Sequence, residues 1–566
     1  MSNCNVSFRS AMLMLVCLPS LLSCTVDSKT SSTQSVSWFE DRQQVLGLNF
    51  RHNSGHRKVP LLPEINGSGA AVVDFNGDGW LDIYFVQSGS LYSEEAEEWR
   101  NQVFLNDGDG SFTNVTNSAG VAGDTGYGMG VAAGDYDNDG DVDLYVTNVG
   151  TNVLLENDGT GKFVDVAARA GVDDSGFGAS ASFQDFDRDG YLDLFVSNYV
   201  NWHRNSEFEC YEQGIRAYCP PVRYRAPASN RLYRNNQDGT FSDISDVSGI
   251  AVEFGHSFGV VTADFNTDEL VDIFVANDRT PNELWINQGN MRFANLADEF
   301  GAAADGYGKV KAGMGVDVAD FDHDGDSDLL VVNLIGETDT FFRNQNNHFV
   351  DVTSWMGTNS ESSRFTRWGA VLEDFNNDGR TDLYVANGGV YPVDLNLSDI
   401  YAEPNLLYSG TESGAFRLVG SSDSTDNQSK HTSRGVAVGD LNRDGGLDLV
   451  VVNRDSEPYL LMNQVQNRGN WISLELRESN GRIALGASIT YTVNSLDRYG
   501  FVSRDGSFMS SSDPRVHVGL GEIESIVDVR VTWPDGQQER FGELAGNQFV
   551  ILRQGEGLDS NDSDGN

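Results

Sequence analysis

Residues 135–143 place acidic side chains at alternate positions, a spacing that could bind a metal ion. Asp135, Asp137, Asp139 and Asp143 hold positions 1, 3, 5 and 9 of this stretch, and Gly140 holds position 6. Carboxylates spaced in this way can converge on one hard cation, to which the backbone carbonyl at position 7 adds a further oxygen. Glycine permits the sharp turn that such a loop needs. The pattern therefore predicts a Ca²⁺ site.

The same pattern occurs seven times, and we number the copies loop 1 to loop 7 in chain order. Loop 4 has Glu269 at position 6 instead of Gly, which predicts that it is the weakest site because a side chain there adds steric cost. We expect up to seven structural Ca²⁺ ions. The predicted ligands, at positions 1, 3, 5 and 9, are Asp74, Asn76, Asp78 and Asp82; Asp135, Asp137, Asp139 and Asp143; Asp185, Asp187, Asp189 and Asp193; Asp264, Asn266, Asp268 and Asp272; Asp320, Asp322, Asp324 and Asp328; Asp374, Asn376, Asp378 and Asp382; and Asp440, Asn442, Asp444 and Asp448.

Each loop lies within a repeated unit whose pattern is typical of four short β-strands. A small residue, Gly in six units and Ser180 in the third, stands five positions before the first Asp, which suits an innermost strand near a crowded axis. A β-rich run follows the loop, then a strand that ends in Asn, then one that begins with an aromatic residue. Seven such units predict an all-β fold, a seven-bladed β-propeller over residues 38–465.

The two ends of this region complement each other. The seventh unit has no clear fourth strand, whereas residues 39–48 align with the fourth strand of the second unit, which begins at Phe163. We therefore expect the N-terminal segment to complete the last blade and to close the ring, which also hides sheet edges that would otherwise aggregate.

The loops and their flanking strands resemble FG-GAP or VCBS-type propeller repeats, whose loops bind Ca²⁺ in integrin α-subunits. Residues 469–476, 511–521 and 531–536, which include Trp471 and Trp533, resemble the ASPIC/UnbV domain that follows such a propeller in the cartilage acidic protein family and its bacterial relatives. Alternating apolar runs independently predict a small C-terminal β-domain over residues 466–553. Residues 554–566 are acidic and Gly-rich, and are predicted to be a disordered tail.

The N-terminal segment is typical of a targeting signal. Arg9 precedes an apolar run over residues 11–22 that is too short to span a bilayer. The run ends at Leu21, Leu22, Ser23 and Cys24, which resembles the bacterial lipobox, with Cys24 as the lipidated first mature residue. We thus expect a signal peptide over residues 1–23 and a flexible tether over residues 24–37. The alternatives are an ordinary secretory signal cut nearby and a coincidental cysteine.

This reading predicts an exported protein, anchored to a membrane as a lipoprotein at the outer membrane or cell surface, or otherwise periplasmic or secreted. In an oxidising compartment the two cysteines left after export, Cys210 and Cys219, are expected to form a disulfide. A metal site there would need more ligands than these and His203. The formal charge of −46 argues against a nucleic-acid partner, because phosphate backbones attract basic proteins.

Cationic and aromatic side chains near the innermost strands form a candidate ligand site. The candidate residues are His256, Lys311, Arg367, Trp368 and Arg434. Such a group could bind an anionic or glycan ligand by charge and stacking. The alternative is that these side chains fill a narrow channel or lie on a solvated rim.

Catalytic motifs do not stand out in the sequence, since His-Glu-x-x-His and a Walker loop are both absent. The favoured hypothesis is a non-enzymatic, calcium-stabilised propeller of the adhesion type that binds protein or glycan at the cell surface. One alternative is an exported enzyme acting on polysaccharide, with the axial cations as its site. The other is an accessory protein of a biosynthetic pathway. A propeller fold alone does not decide between them.

Overall fold

A computed structural model describes residues 37–57, 59–92, 99–121, 126–212, 214–395, 397–419 and 430–559. The predicted signal peptide, the lipidated Cys24 and all but the last residue of the tether lie outside these residues. Residues 37–559 belong to one compact unit.

Seven four-stranded antiparallel sheets account for most of the described chain, and we number them by the loop that each contains. The first strand, β1 (Phe39–Asp41), belongs to sheet 7. Sheet 1 consists of β2 (Ala70–Val73), β3 (Asp82–Phe85), β4 (Gln102–Asn106) and β5 (Phe112–Asn114). Sheet 2 consists of β6 (Tyr127–Gly134), β7 (Asp143–Val149), β8 (Val153–Asn157) and β9 (Phe163–Asp165).

Sheet 3 carries an insertion between its second and third strands. It consists of β10 (Gly178–Gln184), β11 (Asp193–Asn198), the inserted hairpin β12 (Cys210–Glu212) and β13 (Ile215–Ala217), β14 (Arg231–Asn235) and β15 (Phe241–Asp243). Cys210 and Cys219 form a disulfide next to the hairpin. The pair that the sequence analysis assigned to a disulfide is thus bonded in this structure.

The remaining four sheets repeat the pattern. Sheet 4 consists of β16 (Ser257–Ala263), β17 (Asp272–Asn277), β18 (Glu283–Asn287) and β19 (Phe293–Asn295). Sheet 5 consists of β20 (Gly313–Ala319), β21 (Asp328–Asn333), β22 (Thr340–Asn344) and β23 (Phe349–Asp351). Sheet 6 consists of β24 (Arg367–Glu373), β25 (Asp382–Asn387), β26 (Leu406–Gly410) and β27 (Phe416–Leu418). Sheet 7 consists of β28 (Ser433–Gly439), β29 (Asp448–Asn453), β30 (Tyr459–Asn463) and β1.

The sheets close into a ring around their first strands. β2, β6, β10, β16, β20, β24 and β28 contact one another in that order, and β28 contacts β2. β1 completes sheet 7 by pairing with β30, with Phe39 opposite Asn463, as the alignment of the chain ends predicts. The prediction of an all-β propeller with a small C-terminal β-domain is confirmed.

Four short α-helices occur in the described residues: α1 (Ala167–Ala170), α2 (Ser245–Ser248), α3 (Ala297–Phe300) and α4 (Asn359–Ser362). The first three follow the outermost strands of their sheets. Each ends at a glycine in the left-handed region, Gly171, Gly249 or Gly301, where a side chain would be strained.

The C-terminal part of the chain forms two further sheets. Its strands are β31 (Asn470–Arg477), β32 (Ser488–Val493), β33 (Leu496–Phe501), β34 (Val516–Gly521), β35 (Ser525–Thr532), β36 (Gln538–Ala545), β37 (Gln548–Arg553) and β38 (Leu558–Asp559). One sheet has the order β34-β31-β37 and the other β33-β32-β35-β36-β38. β38 corrects the predicted tail, because residues 558 and 559 pair with β36 instead of being disordered. Residues 560–566 lie outside the described residues.

Residues 506–511 of the C-terminal domain enter the ring and hydrogen-bond to its innermost strands. In sheets 2 and 5 the pairing of the first two strands is irregular around Gly130 and Gly315. The N–H of the following residue then donates to this segment, from Val131 to the Met509 carbonyl at 3.1 Å and from Val316 to the Ser507 carbonyl at 2.9 Å. The C-terminal domain therefore contributes backbone to the centre of the propeller.

This arrangement explains the small residue five positions before each loop. A Cβ at Gly69 would lie 1.7 Å from the Met509 carbonyl oxygen, and one at Gly315 would lie 2.7 Å from that of Ser507 and 2.0 Å from that of Trp368 in the next sheet. At Gly259 the nearest atom is instead the carbonyl oxygen of Met314 in the next sheet, at 2.7 Å. The sequence analysis attributed the glycines to crowding between neighbouring units. Part of that crowding comes from the inserted segment.

Candidate metal loops and the axial channel

The aspartate at position 9 fixes the backbone of every loop. It is the first residue of the second strand in all seven sheets. In loop 2, Asp143 accepts the Tyr136 N–H at 3.2 Å through Oδ2 and the Asn157 N–H at 2.8 Å through Oδ1. The other six loops repeat both bonds. This carboxylate therefore ties the loop to the third strand of its own sheet.

The aspartate at position 1 holds the turn itself. Asp135 Oδ2 accepts the Gly140 N–H at 3.1 Å, and Gly140 has φ of 98°, in the left-handed region. Loop 4 adopts the same turn despite its side chain, because Glu269 has φ of 68° and its N–H donates to Asp264 Oδ2 at 2.7 Å. Glu269 is strained at this position, since side chains rarely adopt positive φ. Its loop nevertheless keeps the common backbone.

Three loops bring three carboxylates together. In each of loops 2, 3 and 5, oxygen atoms of the aspartates at positions 1, 3 and 9 lie within 4.8 Å of one another; these aspartates are Asp135, Asp137 and Asp143; Asp185, Asp187 and Asp193; and Asp320, Asp322 and Asp328. Buried oxygens of Asp135 and Asp187 have no hydrogen-bond partner. A cation is the natural partner for such oxygens, because buried like charges otherwise repel.

Electrostatics support the same conclusion. In loop 2, burial and the neighbouring carboxylates raise the pKa of Asp135 and Asp137 to about 6. Burial likewise raises the pKa of Asp185 in loop 3 to about 7 and that of Asp320 in loop 5 to about 6. A bound divalent cation would offset this penalty by neutralising the cluster. An all-oxygen donor set suits a hard ion such as Ca²⁺. These residues therefore fit the metal that the spacing predicts.

Loops 1, 4, 6 and 7 have Asn at position 3. The Asn76 amide donates to Asp78 Oδ2 at 3.0 Å, and its Oδ1 accepts the Asp78 N–H at 3.1 Å. Loops 4 and 7 form the same pair of bonds. In loop 6, Asn376 Oδ1 accepts the Asp378 N–H at 2.9 Å. These loops keep the frame with one fewer negative charge than the loops that carry Asp.

The residues predicted to bind a ligand near the axis are buried and have partners within the protein. Arg367 Nη1 lies 2.5 Å from Asp339 Oδ2, and neither side chain is exposed. Arg434 donates from Nε and Nη2 to the Ile65 carbonyl, at 3.0 and 2.7 Å. Its guanidinium also lies 3.9 Å from the ring centre of Trp368, which is buried. These side chains form a polar layer inside the ring.

The other two predicted residues are engaged as well. His256 Nδ1 lies 2.9 Å from the Asp278 carbonyl oxygen, and the side chain is buried. Lys311 Nζ lies 3.0 Å from Thr340 Oγ1 and 3.6 Å from Asp305 Oδ2. All five have contacts within the protein, but the buried Nε2 of His256 and Nε of Arg367 have no hydrogen-bond partner in the part of the protein that the structure describes. Their burial agrees with the alternative of a filled channel, and the ligand site stays a prediction.

Comparison with protein families decides which repeats these are. The FG-GAP-like repeat matches residues 74–146, 135–196, 222–275, 264–331 and 320–385, which together cover just over half of the chain. The chain belongs to the FG-GAP-like repeat family. Residues 477–559 match the family described as ASPIC and UnbV. The resemblance inferred from the loops and the C-terminal motifs is confirmed.

Relatives of this FG-GAP-like protein include cartilage acidic protein 1. The Homo sapiens protein is 25% identical over 514 residues, which cover 86% of this chain and 63% of the relative. The Xenopus tropicalis protein is 26% identical over 327 residues, covering 53% of this chain and 46% of the relative. The chain thus spans between about half and two thirds of the length of these relatives.

Among solved structures, the BP39L lectin of Burkholderia pseudomallei aligns with 70% of this chain and 96% of its own, at 9% identity and a TM-score of 0.42.

A separate property concerns membranes. Within the described part of the FG-GAP-like chain, no helix has both the length and the apolar character needed to cross a bilayer.

Sequence reasoning missed two features of the FG-GAP-like repeats. The Asn that ends the third strand bridges two sheets: Asn157 Nδ2 donates to the Val142 carbonyl of its own loop at 3.1 Å and to the Phe75 carbonyl of loop 1 at 2.9 Å. Six sheets have this bridge, and sheet 6 has Gly410 instead. The recurring Asn was visible in the sequence, but only the structure shows that it reaches the preceding sheet.

The second feature is position 4 of each loop, which has positive φ in all seven copies. Several of these residues contact the C-terminal domain. Asn138 Oδ1 accepts a bond from Arg482 at 3.0 Å, and Asn377 Oδ1 lies 2.8 Å from His517 Nε2. The FG-GAP-like loops therefore also form the platform on which the ASPIC and UnbV domain packs.

Proposed function

We propose that the protein is a calcium-stabilised binding propeller, exported and held at the cell surface, that recognises a protein or glycan. The observation that carries the calcium part is the convergence of three carboxylates in each of loops 2, 3 and 5 within 4.8 Å. Export and lipid anchoring depend on the sequence of residues 1–24 alone.

Calcium would act on the fold and not on a reaction. Each loop joins the first two strands of a sheet, and the aspartate at position 9 already links it to the third strand. An ion held by positions 1, 3, 5 and 9 would fix this junction and remove the repulsion between the carboxylates. Binding to the folded state alone raises the free energy of unfolding by about 2.7 kcal/mol for each site at a free concentration of 100 Kd.

Exposed aromatic side chains support the binding part of the proposal. Tyr307 is 95% exposed and Trp355 is 72% exposed. Their loops are joined, because the Gly306 N–H donates to Asp351 Oδ2 at 2.8 Å. Aromatic rings on a surface can stack on sugar rings or anchor a protein partner. We assign the recognition surface to these two neighbouring loops.

Calorimetric titration of calcium into chelator-treated protein tests the calcium part. We expect at least three sites and a Tm that rises markedly as they fill. Absence of heat together with an unchanged Tm would refute it.

The recognition part is tested by binding to a panel of glycans and surface proteins with the double variant Tyr307→Ala, Trp355→Ala. We expect binding to be lost while the Tm is kept. Tyr211→Ala, which removes an aromatic side chain that is 60% exposed on the inserted hairpin, is the matched control. Equal binding by the double variant and the wild type would remove the site assignment.

A further inference from the structure

A cavity of about 380 Å³ lies between loops 1, 2 and 7 and the C-terminal domain. Five arginines line it: Arg443, Arg477, Arg482, Arg504 and Arg515. We call it the arginine cavity. Its volume lies within the range of small-molecule sites, roughly 300–1,000 Å³.

Arg504 distinguishes this cavity from an ordinary set of ion pairs. Its side chain is 7% exposed, and its Nη1 has no hydrogen-bond partner among the described residues. Burial lowers the pKa of Arg504 to about 10, although the nearby charges of Asp513 and Glu475 act in the opposite direction. An unpaired buried guanidinium is costly, so it calls for a partner that the chain does not supply.

The neighbouring arginines are held in place by their own contacts. Arg515 Nε lies 2.7 Å from Asp513 Oδ2, and Arg477 Nη1 donates to the Gly481 carbonyl at 2.7 Å. The guanidinium carbons of Arg443 and Arg515 each lie 5.0 Å from the ring centre of Phe549. The cavity thus presents preorganised N–H donors beside an aromatic wall.

The carboxylates that line the cavity have other roles. Asp513 and Glu475 are paired with Arg515 and Arg477, while Asp74 and Asp135 are predicted ligands of loops 1 and 2. Asp141, which is partly exposed, lies at the loop 2 side. With calcium in loops 1 and 2, the charge left in the cavity is predominantly positive.

A second cavity of about 380 Å³ provides a contrast within the same interface. Residues 513–515 line both cavities, but the second is lined by carboxylates, among them Asp317, Glu373 and Asp505. An anion would be repelled there and in most of the acidic surface. Of the two cavities that share residues 513–515, we therefore expect an anion to enter the arginine cavity and not the second one.

We propose that the arginine cavity binds a small oxyanion, carried as a carboxylate or a sulfate on a compact ligand such as an acidic sugar. Guanidinium groups bind such oxyanions through paired N–H donors, and the Phe549 ring would pack on the apolar part of the ligand. The dependence of this binding on calcium rests on the proposed function, whereas the site itself does not.

The test is calorimetric titration of the full chain with inorganic sulfate, glucuronate and, as the neutral probe, glucose. In calcium we expect one site for an oxyanion and none for glucose. The variant Arg504→Met should weaken oxyanion binding at least about tenfold, the effect of losing one charged hydrogen bond. The control Arg530→Met removes an exposed arginine of the same domain and should bind as the wild type does.

The outcomes separate the two sources of the oxyanion. Binding of glucuronate alone identifies a carboxylate ligand, and binding of both anions identifies a general oxyanion site. No binding of either anion, or equal binding by Arg504→Met and the wild type, would overturn the proposal. If Arg504→Met does not fold, Arg504→Lys replaces it, since lysine keeps the charge but loses the planar pair of donors.

Calcium separates this proposal from the previous one. Weaker oxyanion binding in chelator than in calcium would support the coupling through Asp74 and Asp135. Oxyanion binding by a chain that takes up no calcium would refute the proposed calcium role and leave the arginine cavity standing.

Discussion

Loops 2, 3 and 5 carry Asp at position 3, whereas loops 1, 4, 6 and 7 carry Asn there. Both classes share one backbone frame, because the aspartate at position 9 makes the same two bonds in all seven loops. They differ in charge, since three carboxylates converge in the first class and an amide takes the place of one in the second. The frame is thus built by hydrogen bonds within the chain, and the residue at position 3 sets how strongly a cation is required.

The largest effect should come from position 9, where the two classes do not differ. Asp143→Ala in loop 2 and Asp448→Ala in loop 7 each leave two backbone N–H groups without an acceptor. We expect each to lower the free energy of unfolding by about 2–5 kcal/mol even in chelator, from the cost of unsatisfied buried donors. Urea unfolding measures this. A loss confined to Asp143→Ala would show that the shared frame is not general.

Acidity should change the stability of the chelated protein through buried aspartates of both classes. In the chelated protein burial raises the pKa of Asp135, Asp137 and Asp320 to about 6 and that of Asp185 and, in the second class, Asp374 to about 7, above the value near 3.9 of an unfolded chain. Between about pH 4 and 7 the folded state therefore holds protons that the unfolded state has lost, so stability should fall as the pH rises. Excess calcium should reverse this slope, because protons compete with the metal.

The slope is measured as Tm against pH in chelator and in calcium. The triple variant Asp137→Asn, Asp187→Asn, Asp322→Asn converts the first class into the second and should make the slope in chelator less steep, because the aspartates at position 1 still titrate. A Tm in chelator that rises from about pH 4 to 7 would contradict the burial of these carboxylates.

The smallest effect should come from exchanging position 3 in single loops. Asp137→Asn should weaken the calcium site of loop 2 by about tenfold, and Asn442→Asp should strengthen that of loop 7 by a similar factor, because affinity follows the number of ligand charges. In chelator near pH 7, Asp137→Asn should raise the stability and Asn442→Asp should lower it, because the first removes and the second adds a carboxylate beside the others while the frame is kept. Calorimetry of each variant provides the measurement. Identical affinities would mean that position 3 does not contribute a ligand.

Local patterns made most of this architecture predictable. The loops, the strand periodicity and the missing fourth strand can all be recognised in short stretches of sequence. The ring and its closure by Phe39 could therefore be inferred. The axial site could not, because the burial of Arg367 and Arg434 depends on elements far away in the chain, such as Asp339 and Ile65. The aspartate at position 9 was predicted to be a metal ligand. That its carboxylate also accepts two backbone N–H groups, one from the loop and one from the third strand, depends on the register of the strands, which the sequence does not show. A local sequence pattern does not show which residues contact each other across long sequence separations.

The segment 506–511 also determines when the ring can be finished during synthesis. Because a chain is synthesised from its N-terminus, β1 can pair with its partner strand only after β30 has been made. The centre of the ring is filled only after Phe508 and Met509 have been made, because these residues pack beside Phe258 and Trp368. Until then an apolar channel and a free strand edge stay exposed, and both are hazards for aggregation. A chain released before residue 508 would therefore lack the centre of its own propeller. The C-terminal domain thus supplies the last backbone that fills the centre of the ring.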